Sequence, residues 1–166
     1  MSAPQQNRVI NHIGISVPDS EAAAVWYKKL LGFQSIGPIR HIKRSTQPTH
    51  CSFSVFPASL KEFKMAFLTT GNGVGFEIFE FIEPQTYVPQ PEFEYHRGGV
   101  FHLCVTDADP NALADKIVEA GGKRIGVSAH PYTGHTMVYV SDPWGNAIEI
   151  LDASYERIIG LMQNQA

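Results

Sequence analysis

This 166-residue chain spells one pattern twice. "NHIGISVPD", from Asn11, and "FHLCVTDAD", from Phe101, each place a histidine at the head of an alternating apolar run: His12 in the first copy, His102 in the second. Each run leads into a helix-like segment, then hairpin-like strands. A last strand then holds a glutamate inside an apolar stretch: Glu77 in "GFEIFEF", Glu149 in "AIEILDA". A sheet of one such module leaves a face uncovered, so two modules pairing their sheets is the economical fold. The repeat also brings two histidines and two carboxylates, four candidate ligands for one metal ion.

Local signals fill in each copy. Residues 8–17 read as a strand, with His12, Gly14 and Ser16 on one face and Ile13, Ile15 and Val17 on the other. "PDSE" opens a helix capped by Asp19 or Ser20. Its apolar stripe is read as Ala22, Val25, Trp26 and Leu30, and Gly32 stops it before a strand at 33–36. In the second copy, residues 100–106 form a strand with His102, Cys104 and Thr106 on one face. Asp107 or Asp109 caps a helix over 110–120, with Pro110 in its first turn and Leu113, Ile117 and Val118 as its stripe. Strands follow at 123–127, at 136–141 and, after the turn "DPWGN", at 146–152.

The expected class is α+β: two paired βαβββ modules, 8–83 and 99–153, forming an open, cupped β-sheet with helices outside. A stiff, proline-rich linker spans 84–98, and 154–166 form a C-terminal tail helix. The histidine-bearing faces line the cavity, because the opposite faces are more uniformly apolar. Residues 37–51, with Arg40, His41, Lys43, Arg44 and His50, read as an irregular insertion without a counterpart in the second copy.

Bulk properties exclude several roles. Lys and Arg number 13 and Asp and Glu 16, a net charge of −3 that recommends neither nucleic acid nor an anionic membrane as partner. No apolar run approaches the ~20 residues that span a bilayer, and the first ten residues hold no secretory apolar core. Cys51 and Cys104 form no CxxC pair, and Cys104 reads as a small core hydrophobe. A cytoplasmic location fits these features.

Imidazole and carboxylate suit one divalent ion such as Zn, Ni, Mn, Co or Fe. A lone strand histidine is usually structural, but four matched positions argue for a shared role. Glu149, between Ile148 and Ile150, needs a partner, because an unpaired buried carboxylate is costly. Glu77 has a rival in Glu80, which faces the other way. Aligning "GFEIFEF" with "AIEILDA" sets Glu77 on Glu149 and Glu80 on Asp152, which favours Glu77 and leaves Glu80 exposed near the strand end. His41, His50 and His96 read as solvent-facing. His130 and His135 flank a "PYTG" turn, and His135 borders a strand at the cavity. Arg40, Lys43 and Arg44 read as a solvated loop able to meet an anionic substrate tail. Trp26 and Tyr27 read as packing residues.

"HIGISVPD", "WYKKLLGF", "GFEIFEF", "FHLCVTD" and "DPWGNAIEIL" together resemble the vicinal oxygen chelate superfamily, also called the glyoxalase, bleomycin-resistance and dioxygenase superfamily, from about Asn11 to Asp152. The resemblance implies a metal held by His12, Glu77, His102 and Glu149. It implies a metal-dependent lyase or isomerase of the glyoxalase type, working by proton transfer next to a metal-bound carbonyl through an enediolate, with Glu77 and Glu149 as candidate catalytic bases. The opening "HIGISVPD" is closer to epimerase and general lyase-like members than to the usual glyoxalase I start. A small-molecule substrate with vicinal oxygens and a homodimer are implied too, with the site in one chain or across two. Two alternatives stay open. One is a ring-cleaving dioxygenase, where a fourth ligand at Glu77 would crowd the iron. The other is a non-enzymatic small-molecule (drug) binding protein, against which both His and both Glu speak.

Overall fold

Each copy of the repeat folds as its own unit, Met1–Tyr87 and Val88–Ala166. The structure, a computed structural model, describes residues 6–88 and 93–163. Part of the expected linker (89–92) and the end of the tail (164–166) lie outside the described residues.

The N-terminal unit runs β1 (His12–Ser16), α1 (Ser20–Leu31), β2 (Gln34–Ser35), β3 (Arg40–Lys43), α2 (Ser52–Val55), β4 (Glu62–Thr69) and β5 (Gly75–Glu83). Its sheet is ordered β1-β5-β4-β2, with β3 also on β4. The C-terminal unit runs β6 (Leu103–Thr106), α3 (Pro110–Glu119), β7 (Lys123–Ala129), β8 (Met137–Ser141), β9 (Ala147–Leu151) and α4 (Tyr155–Gln163), with a sheet ordered β6-β9-β8-β7. Both sheets are open and the class is α+β. In each, the last strand of the module lies inside the sheet, parallel to the first strand and antiparallel to its hairpin partner. The glutamate-bearing strands β5 and β9 are therefore flanked on both sides.

The helices start and stop where the sequence signals them. Asp19 Oδ1 accepts from the Glu21 and Ala22 amides at 3.1 and 2.9 Å, and Gly32 ends α1 in the left-handed region at φ 68°. Asp109 caps α3 through the Ala112 amide at 3.0 Å. The stripes differ from expectation. Val25 is 65% exposed and Ala22 is also exposed, while Ser20, Ala23, Ala24, Trp26 and Tyr27 are buried. The contact face follows i, i+3, i+4, i+7 through the small residues, letting the helix approach closely and turning Val25 outward. Val118 is likewise exposed on α3, where Leu113, Ala114 and Ile117 face the sheet. Tyr27, fully buried, packs between Phe33 and Phe76.

Alternation along β4 and β5 sorts the N-terminal sheet into two faces. Ala66, Leu68, Phe76 and Ile78 are buried on the α1 side. Phe63, Met65, Phe67, Glu77, Phe79 and Phe81 share the other side. There Ile42, Phe53, Leu60 and Phe63 make a second core, edged by Phe56, Met65, Phe79 and Phe81.

The expected irregular insertion is only partly irregular. Residues 40–43 pair with β4, from Arg40↔Met65 to Lys43↔Glu62. β2 and β3 thus occupy one edge of β4, interrupted at Gly37 (φ 75°) and Pro38. A single buried apolar residue, Ile42, gives "RHIK" too little alternation to be read as a strand from sequence. The second copy has a matching break, because β7 shifts register between Ile125 and Ala129 around Gly126 at φ 71°.

In the C-terminal unit, Ile158 of α4 packs with Leu151, Ala153 and Met137. Leu151 and Met137 share a face with Glu149 and Tyr139, so α4 covers one end of that face. No helix among the described residues is long and apolar enough to cross a membrane.

Gly122 marks the tightest seam. A Cβ there would stand 2.4 Å from the Ser141 carbonyl oxygen and 2.6 Å from Ile117 Cγ2. Gly122→Ala is expected to cost about 3 kcal/mol in urea unfolding, by forcing α3 and β8 apart. Gly71→Ala, with open space around it, should change stability by no more than about 0.5 kcal/mol.

Candidate functional site

Two turns decide where the carboxylates fall. In the first, the Thr70 amide and hydroxyl both donate to the Val74 carbonyl at 2.9 Å, and Gly73 takes φ 81°. The hairpin closes on Thr69↔Gly75, which sets Phe67 opposite Glu77. In the second, the buried Asp142 carboxylate accepts from the amides of Trp144 (2.9 Å) and Asn146 (2.8 Å) and from Asn146 Nδ2 (2.7 Å). That Asx turn closes on Ser141↔Ala147 and sets Tyr139 opposite Glu149. On the parallel side, Gly14 pairs with Glu77 and Cys104 with Glu149.

Each histidine stands two residues before that partner, on the same face. His12 Nε2 lies 3.6 Å from Glu77 Oε2, and His102 Nε2 lies 3.2 Å from Glu149 Oε2. Two donor atoms each ~2.1 Å from one ion, 90–110° apart, would be separated by about 3.0–3.4 Å. One pair lies inside that window and the other 0.2 Å or so outside it. Both suit neighbouring ligands on a divalent cation. Asn11 Oδ1 sits 2.8 Å from His12 Nδ1. Accepting that N–H would leave the Nε2 lone pair turned toward Glu77, the orientation a ligand histidine needs. His102 Nδ1 is buried without a hydrogen-bond partner, so the polar work of this ring falls to Nε2.

The predicted ligands come together in twos, one pair in each unit. Among the described residues no group of three or more His, Cys, Asp and Glu side chains is drawn into a metal-like cluster.

The surroundings of the two glutamates differ. Glu149, 13% exposed, has Tyr139 as its cross-strand neighbour. That phenol is pushed up to about 12, by burial first and then by the Glu149 charge. The Cys104 thiol is also pushed up to about 12, by desolvation first and then by Glu149. Cys104 is nonetheless surface-exposed and on the Glu149 face, so it is not the core residue expected. Glu77 has only Gly14 and Phe67 as strand partners.

Glu80 serves elsewhere. Its Oε2 accepts from the Ser20 amide (3.0 Å) and hydroxyl (2.8 Å), with Lys64 Nζ 3.5 Å from Oε1. It pins the start of α1 and is 14% exposed rather than open at the strand end.

The remaining histidines scatter. His41 pairs with Glu62 at 2.7 Å. His50 is half-buried against Phe53 and Phe63, not solvent-facing. His96 is exposed beside Tyr95, and exposed His130 has Nδ1 3.0 Å from the His135 carbonyl. His135 Nδ1 meets Asp152 Oδ1 at 2.7 Å, while Asp152 Oδ2 accepts from the Thr136 amide at 2.7 Å. Asn11 and Tyr139 were absent from the sequence-derived site. Tyr139 was within reach, since a turn centred on Trp144 sets it across from Glu149.

A duplicated chain whose modules each set one His against one Glu defines a class of scaffold. The chain belongs to the glyoxalase/bleomycin resistance protein/dioxygenase superfamily, whose family model matches residues 9–150. It is 31% identical over 125 residues to the ethylmalonyl-CoA/methylmalonyl-CoA epimerase of Cereibacter sphaeroides, covering 75% of this chain and 79% of that protein. Solved structures share the fold. A glyoxalase family protein from Bacillus cereus has a TM-score of 0.73 at 15% identity, over 91% of this chain and 97% of that one. The fosfomycin resistance protein FosX of Listeria monocytogenes, solved with Mn(II) and 1S,2S-dihydroxypropylphosphonic acid, has a TM-score of 0.60 at 14% identity, over 93% and 99%.

Two predictions follow from this geometry. Gly75 lies against β1, where a Cβ would meet His12 Cβ at 2.9 Å. Gly75→Ala should displace His12 and weaken Mn(II) binding about tenfold or more, read by titration calorimetry, with about 1–3 kcal/mol lost in stability. Burial works against ionisation of Asp152, but the His135 and Thr136 hydrogen bonds and the His135 charge outweigh it and hold the carboxyl below its ordinary value. With the folded value depressed, the stabilisation is complete above the unfolded carboxyl value of about 3.9 and fades as pH falls through the folded one. Asp152→Asn should therefore cost about 1.5–3 kcal/mol at pH 7, and its unfolding curve should converge on that of the wild type well below pH 4.

Proposed function

We propose that this chain is a metal-dependent isomerase of the epimerase kind, moving a proton at a carbon beside a carbonyl. The observation that carries the reading is the matched pair of His–Glu contacts, His12–Glu77 and His102–Glu149, at ligand-like separations. The 31% identity to an epimerase supports it.

His12, Glu77, His102 and Glu149 would hold one divalent ion, in one chain or across a pair of chains. When bound, such an ion draws electron density from a carbonyl oxygen and acidifies the adjacent C–H. The two carboxylates suit different tasks. Tyr139 and Cys104 stand on either side of Glu149 and crowd that group. Glu77 lies between a glycine and a phenylalanine, so its carboxylate is freer to turn and take a proton at the oxygen that does not face the ion. Phe67 and Phe79 share the Glu77 face and would lie as apolar neighbours to the transfer. Asn11 keeps the His12 ring oriented throughout.

The test is deuterium incorporation from D2O into methylmalonyl-CoA by the Mn(II)- or Co(II)-loaded protein. Exchange without oxygen uptake is expected, and Glu77→Gln should lower it at least a hundredfold and weaken metal binding. Glu80→Gln should keep metal affinity while losing stability at the start of α1. Oxygen consumption with a catechol, or failure to bind any of Zn, Ni, Mn, Co or Fe, would overturn the reading.

A further inference from the structure

We propose that Arg40 is the residue that grips an anionic group of the substrate, so the substrate carries a carboxylate or phosphonate beside its reacting centre. This deepens the proposed function and rests on it for where the reacting centre lies. The structure sorts the three cations of residues 40–44 into different tasks. Lys43 is 3.0 Å from Glu62 and shares with His41 the side of the sheet away from Glu77. Arg44 donates to the carbonyls of Leu60 (2.8 Å) and Pro57 (3.3 Å), with its guanidinium 4.2 Å from the Phe53 ring centroid, so it holds the segment around α2.

Arg40 points the other way. It pairs with Met65 and shares a face with Ile42, which is buried against Phe63 on the Glu77 side. Its guanidinium carbon lies 5.8 Å from the ring centroid of Phe67, and Phe67 is the cross-strand partner of Glu77. Among the described residues no carboxylate pairs with it, and β1 to β5 put no other Lys or Arg on that face. A guanidinium laid on an aromatic ring keeps its in-plane N–H groups available, a geometry that matches an oxyanion bidentately.

Spacing and chemistry then describe the ligand. β3 and β5 are two strand spacings apart, about 10 Å, and the Arg40 side chain leans back over β4. The surface between the guanidinium and Glu77 is apolar, made by Phe67, Met65 and Phe79. An oxyanion on one side of the reacting carbon, a carbonyl on the other and a small apolar substituent would match it.

The test uses the full chain, freed of metal with EDTA, titrated calorimetrically with malonate and with methylphosphonate at constant ionic strength. Wild type should bind at least one of them. Arg40→Gln should weaken binding tenfold or more, Arg40→Lys should retain part of it, and Lys43→Gln should leave it unchanged. Mn(II) affinity, followed by electron paramagnetic resonance of the free ion, should be the same in Arg40→Gln as in wild type. The proposal is overturned if wild type binds neither anion, if Arg40→Gln binds as tightly as wild type, or if Lys43→Gln weakens binding equally. Anion binding that depends on Arg40 in a chain unable to hold Mn(II) would sink the metal reading alone and uphold the anion site.

Discussion

Strand register is the constraint on which the candidate site depends. A one-residue slip would send every side chain of a strand to the opposite face, moving Glu77 or Glu149 into the helix-covered layer. The chain guards against this with short polar turns closed by their own side chains, Thr70 in one unit and Asp142 in the other. The parallel strand on the far side adds a second constraint, because only a glycine at 75 avoids the Cβ of His12. Hydrophobic burial stabilises each sheet, but hydrogen bonds in the turns decide which residues meet the histidine.

Much of this was legible in the sequence because it repeats. Alternation identified the faces of β1 and β6, the Asp caps and glycine stops bounded α1 and α3, and the alignment of the two copies preferred Glu77 over Glu80. The structure shows what Glu80 does instead, tying Ser20 at the start of α1. Other features stayed hidden for physical reasons. Val25 and Val118 looked like stripe residues, but alanines let the helices sit closer and turned both valines outward. The strand 40–43 was masked by charge, since three of its four residues are basic or histidine. Cys104 carried a core-like composition, while strand parity put it beside Glu149.

The two carboxylates illustrate how neighbours, rather than residue type, set chemistry. Both glutamates sit on central strands and both face a histidine. One has a phenol and a thiol around it whose own protons are held more tightly, by burial first and then by the carboxylate charge. The other lies between a glycine and an aromatic ring. Electrostatic coupling of this kind is short-ranged, and it follows from the identity of four flanking residues.

That asymmetry is a departure from strict duplication. A module copied without change would surround both carboxylates with the same neighbours. Here Gly14 and Phe67 have become Cys104 and Tyr139 in the other copy. The second copy thereby carries two dissociable protons beside its glutamate, a thiol and a phenol, where the first copy has none.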